Sequence, residues 1–134
     1  VNLDVVAKSV IGLILSFDNE SVLSGVYHAE DPDQVPSQVP VCTFAFVPAP
    51  YSKIFDEFYM EWTFWFNNPF FSNVSDIVNR IEENSDEWVD CVQDGKVLGR
   101  VWFLLNRSPQ TGGRNNLKYI TLFIKVRATF NEIC

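Results

Sequence analysis

Apolar and polar residues alternate with a period of two along much of the chain, and that alternation predicts strands. It is cleanest from Asp56 to Phe66. There Phe58, Met60, Trp62, Phe64 and Phe66 share one parity, and Glu57, Tyr59, Glu61, Thr63 and Trp65 share the other. The final run, Leu117 to Phe130, alternates in the same way. Ile120, Leu122, Ile124, Val126, Ala128 and Phe130 oppose Tyr119, Thr121, Phe123, Lys125, Arg127 and Thr129. Shorter strands are predicted at Ser24–Tyr27 and at Val41–Val47, the latter closed by Pro48 and Pro50. From Leu3 to Phe17, Leu3, Val5, Ala7, Ile11, Leu13, Leu15 and Phe17 also fall on one parity. This predicts a long or bent strand with Gly12 as a bulge.

Punctuation divides the rest. Asn67-Asn68-Pro69 ends the central strand, and one helix is predicted over about Val74–Glu83. Its apolar stripe is Ile77, Val78 and Ile81, with Asn73 as N-cap and Asp76 at N3. Glu87–Val92 and Val97–Leu105 flank Gln93-Asp94-Gly95-Lys96, a hairpin signature because Asp-Gly tolerates positive φ. Asn106–Asn116, with Pro109 and Gly112-Gly113, predicts a mobile loop. Glu30–Pro40, with three prolines and three acids, predicts a surface loop or linker. Six or seven short strands and one small helix imply a single mainly β domain over residues 1–134. The expected form is an antiparallel β-sandwich, jelly-roll-like.

Composition adds a dense aromatic core, with twelve Phe among 134 residues. Val5–Phe17 is too short to span a bilayer and lacks the flanks of a signal peptide, so no membrane partner is expected. The chain opens on Val1, which implies processing or a piece of a longer protein. Sequons at Asn19, Asn73 and Asn106 point weakly towards secretion.

Charge changes the picture most. The first ninety-five residues hold sixteen of the seventeen acids and three of the ten Lys and Arg, a net −13; the last thirty-nine carry +6. Such a chain neutralises itself internally, neutralises a second copy, or meets an acidic partner. The overall charge of −7 disfavours generic nucleic-acid binding.

For the C-terminal hairpin to bury one clean face, Val97, Val101, Phe103 and Leu105 must share a side with Ile120, Leu122, Ile124 and Val126. Arg100, Trp102, Tyr119, Phe123, Lys125 and Arg127 then occupy the other side. Cations interleaved with rings suit a protein interface, or a ligand held by stacking and charge. The opposite parity of the central strand offers Glu57, Tyr59, Glu61 and Trp65. These two faces are complementary. Glu57 and Glu61 are expected to neutralise Arg100, Lys125 or Arg127, on neighbouring strands or between subunits.

Other chemistry is sparse. Cys42, Cys91 and Cys134 have no metal-ligand spacing, and the single His28 completes no zinc set, so no metal or other cofactor is expected. The cysteines read as small hydrophobes, at least one of them a free thiol. Asp18, Glu20, Glu30, Asp31 and Asp33 are hard-oxygen candidates for calcium but read more simply as solvated acids. Asp86 and Asp90 are the only paired carboxylates worth weighing as acid and base, and no nucleophile sits in a G-x-S-x-G context. The chain is therefore read as a non-enzyme.

Phe64-Trp65-Phe66-Asn67-Asn68-Pro69-Phe70 and the long last strand, Tyr119 to Phe130, give the chain a resemblance to the β-domains of small RNA-virus coat proteins. The resemblance covers about half the chain and carries over no individual residue. It implies a structural, self-assembling role on a virion surface, as a coat or protruding domain. The basic N-terminal arm of that family is absent here. The functional expectation is a self-associating interaction module, a dimer or larger. The alternative is a ligand-binding sandwich for carbohydrate or single-stranded nucleic acid, with Trp65 or Trp102 as stacking platform.

Overall fold

In the computed structural model, which describes residues 3–29, 35–47, 56–93, 95–114 and 116–130, two helices and six strands follow one another along the chain. Their order is α1 (Leu3–Ser16), β1 (Val26–His28), β2 (Val41–Val47), β3 (Asp56–Phe66), a 3-10 turn (Asn68–Phe70), α2 (Phe71–Glu83), β4 (Glu87–Gln93), β5 (Lys96–Arg114) and β6 (Leu117–Phe130). The fold is mainly β. All six described strands belong to one curled, mixed sheet ordered β1-β2-β3-β6-β5-β4. β1 runs parallel to β2, and every other pairing is antiparallel. A jelly-roll-like sandwich requires a second sheet. Among the described residues α1 and α2 cover one face of the single sheet instead.

The largest departure from the sequence expectation is α1, predicted as a strand. Its buried residues are Val10, Leu13 and Ile14, with Ala7, Ile11 and Phe17 packed beside them. Those positions recur at three and four residues, the helical period. Leu15, on the parity assigned to the core, is 44% exposed. An almost continuously apolar run satisfies either period, and here packing against the sheet selects the helix.

Two polar devices hold α1 in place. Beyond its end, the Asp18 carboxylate accepts the backbone N–H groups of Val22 (3.0 Å) and Leu23 (2.9 Å) and so turns the chain towards β1. Arg80 on α2 donates from Nη1 to the Phe17 carbonyl at 2.8 Å, tying the two helices together.

α2 buries Val74, Ile77, Val78 and Ile81, the expected stripe extended by one turn. Its N-cap is Phe70, not Asn73, because the 3-10 turn at Asn68–Phe70 leads straight into the helix. Asn73 lies inside the first turns and donates from Nδ2 to Glu20 at 2.6 Å.

The central strands match their alternation. On the covered face, Cys42, Phe44, Met60, Trp62, Phe64, Phe66, Phe103, Ile120, Leu122, Ile124 and Val126 form the core with the helices. Val97 does not join them. It is 49% exposed, beyond a register shift at Cys91/Val92. Asn106–Arg114, expected as a mobile loop, continues β5. Register shifts between Leu105/Arg107 and Arg107/Gln110 take up the extra residues around Pro109, as bulges do. At the first of them the Leu105 N–H is taken by the Ser85 hydroxyl (3.0 Å).

Candidate functional site: the open face of the sheet

The face away from the helices is arranged in rows set by strand register. One row runs Tyr27, Thr43, Thr63, Thr121, Gln110 across five strands. On one side of it lies Val41, Trp65, Tyr119, Gly112; on the other lies Ala45, Glu61, Phe123, Arg107. Next come Val47, Tyr59, Lys125, Leu104, then Glu57, Arg127, Trp102, Trp88. Asp90 and Arg100 pair beyond these.

The residues expected to form two complementary faces therefore lie on one. Glu57, Tyr59, Glu61 and Trp65 from β3 sit beside Tyr119, Phe123, Lys125 and Arg127 from β6, with Trp102 and Arg100 following on β5. Register places Glu57 opposite Arg127, while Glu61 stands opposite Phe123. Arg100 is claimed from the other side, its Nε lying 3.2 Å from Asp90 Oδ1. The acidic strand is thus the immediate neighbour of the basic one, with Arg100 engaged by β4 rather than β3.

Rings and cations are interleaved on this face. The Arg107 guanidinium carbon lies 3.7 Å from the Phe123 ring centroid, and that of Arg127 lies 5.1 Å from Trp102. Arg100 stands 6.0 Å from the exposed Trp88. Stacking of this kind fixes a guanidinium plane and leaves its N–H edge pointing outwards.

Where β5 bends at its bulges, the open face encloses a groove of about 320 Å³. Its floor is the threonine row, in which the Thr63 and Thr121 hydroxyls share a hydrogen bond of 3.1 Å. One wall is Trp65 and Tyr119, edge to face at 5.2 Å. The Tyr119 ring lies across Gly112, where a Cβ would overlap it. The other wall is Glu61 with Arg107 on Phe123, and Arg114 also lines the groove. Trp65 is only 4% exposed, and its Nε1 donates to Thr43 Oγ1 at 3.2 Å. It is packed, and does not offer the bare ring that stacking requires. The sequence reading missed Arg107 and Gln110, because Pro109 and the two glycines disguised their strand as a loop.

The remaining candidates go elsewhere. Asp86 accepts the Trp102 indole N–H at 2.8 Å, and Asp90 is paired with Arg100, so the two carboxylates serve separate partners. His28 packs against Phe44 and Phe46. Burial pushes the Cys42 thiol strongly up, which keeps it protonated and unreactive. Asp18 and Glu20 are engaged by the hydrogen bonds described above. Glu30, Asp31, Asp33 and Cys134 lie outside the described residues, as do the side chains of Glu57, Cys91 and Val101. No group of three metal-ligating side chains occurs among the described residues. No protein-family model matches this sequence, and no curated protein is similar enough to count as a relative.

Proposed function

We infer that this chain is a non-enzymatic interaction module that associates with a second copy of itself through the open face of its sheet. The observation that carries this is the composition of that face. Acidic residues on β3 and basic residues on β6 and β5 are interleaved with half-buried rings on a surface that no described element covers. A face holding both charges can meet its own copy about a two-fold axis, acidic strand to basic strand. A virion surface domain, the role implied by the coat-protein resemblance, would be one setting for such an interface. The test is solution mass: a dimer or larger at low salt that dissociates as salt rises supports the reading, and a monomer throughout removes it.

The groove favours a second reading, a small-ligand site on the same face. At about 320 Å³ it lies at the small end of ligand pockets. Its hydroxyls, amide and charges suit a polar ligand such as a carbohydrate better than an apolar one.

A further inference from the structure

We propose that the groove takes a sugar acid, one ring carrying a carboxylate and vicinal hydroxyls. This rests on the ligand-binding reading and names its chemical class. Two charged members of one row, Glu61 and Arg107, set the polarity. Arg107, its guanidinium carbon 3.7 Å from the Phe123 centroid, offers an N–H edge. A carboxylate meets that edge with two parallel hydrogen bonds, and the stack has removed much of the freedom otherwise lost on binding. Glu61, on the far side of Phe123, is an acceptor pair suited to two adjacent hydroxyls.

The floor supplies the rest. Thr43 Oγ1 already accepts from Trp65, so its own proton is free for an outside acceptor. Thr63 and Thr121 spend one donor on each other, leaving one donor and spare lone pairs. Gln110 closes the row with an amide that donates and accepts. Tyr119, held between Gly112 and Trp65, gives an apolar wall for the C–H face of a ring. A simple carboxylic acid offers nothing for Glu61 to accept, and a neutral sugar meets Arg107 only with single hydroxyl acceptors, not the paired oxygens that match its fork. A molecule with both kinds of group uses both residues.

The experiment is amide NMR on the labelled full chain, titrated separately with glucuronate, glucose and adenosine monophosphate. Sedimentation is run on the same samples. Saturable shifts centred on Thr63, Thr121 and Arg107 are expected with glucuronate, and binding weaker by about tenfold or more with glucose. Arg107→Gln should bring glucuronate down to the level of glucose while the melting temperature stays as in the parent. If Arg107→Gln unsettles the fold, the isosteric Thr121→Val carries the same test and should weaken glucuronate severalfold. Equal binding of glucose and glucuronate overturns the sugar-acid assignment but leaves a ligand groove standing. Tighter binding of the nucleotide overturns it in favour of phosphate. Absence of shifts at these amides with all three removes the ligand reading together with the proposal.

Discussion

Glu57 on β3 stands directly across from Arg127 on β6, in the register that also sets Tyr59 against Lys125. A charge division that looks along the sequence like two ends of a dipole becomes, in the sheet, two adjacent strands. Cross-strand pairs of this kind fix register and choose partners more than they stabilise, since an exposed pair contributes about 0–1 kcal/mol. Stability therefore reports on the covered face, and association reports on the open one.

Leu122, opposite Trp62 in the β3–β6 register, is fully buried on the covered face. Leu122→Ala should cost about 2–5 kcal/mol in urea unfolding, as large-to-small core changes do. A loss below about 1 kcal/mol would contradict its place in the core.

Gly95 adopts φ +77° in the β4–β5 turn, with Gln93 paired to Lys96 on either side. A Cβ there meets nothing within 4 Å, so a substitution is strained by backbone alone. Gly95→Val should lower stability by about 1–2 kcal/mol, and Gly95→Asn by less. Equal melting temperatures for Gly95→Val and the parent would show that the turn does not need positive φ.

Asp18 is buried and holds two backbone N–H groups at the exit of α1. Removing the carboxylate strands both donors, so Asp18→Ala should cost about 1–3 kcal/mol. Asp18→Asn, which keeps an acceptor oxygen, should cost less. If calcium protects the parent against unfolding but not Asp18→Ala, the carboxylate serves a metal rather than the turn.

Cys42 gives a pH dependence with a definite sign. Its folded thiol ionises well above the value of about 8.5 found in an unfolded chain. Above that pH the unfolded state releases a proton that the folded state keeps. The contribution is complete below about pH 8.5 and is lost as pH rises beyond it, by up to about 1.4 kcal/mol per unit. Denaturant unfolding of the parent should therefore lose stability faster than Cys42→Ala in that range. Parallel curves would mean that the thiol is not protected by the fold.

How far the sequence led depended on whether one period dominated a segment. β3 and β6 were legible to the residue because charged and hydroxyl side chains mark their outer parity, and β2 because Pro40 and Pro48 bound it. α1 was not, since Val5, Val6, Val10, Ile11, Leu13, Ile14 and Leu15 fit either period and only tertiary packing decides. The distal half of β5 was hidden by Pro109, Gly112 and Gly113. In the fold these occupy a bulge region and a site where Tyr119 lies against bare backbone. The aromatic and charged residues of the open face were legible, but their gathering on a single face was not. That follows from β3 pairing with β6, a long-range choice that local alternation does not encode.

The measurement that bears most directly on the account is sedimentation of the parent and of Leu104→Asp, each at low and raised salt. Leu104 is half-buried on the open face beside Lys125 and outside the groove. A short carboxylate there cannot reach solvent past an interface, whereas a longer charged chain could. The parent should sediment as a dimer or larger at low salt and shrink as salt screens the facing charges over about 8–10 Å. Leu104→Asp should be monomeric at both salts with its melting transition retained. A parent that is monomeric at low salt, or a variant that assembles as the parent does, would contradict the claim that the open face is where this protein meets its own copy.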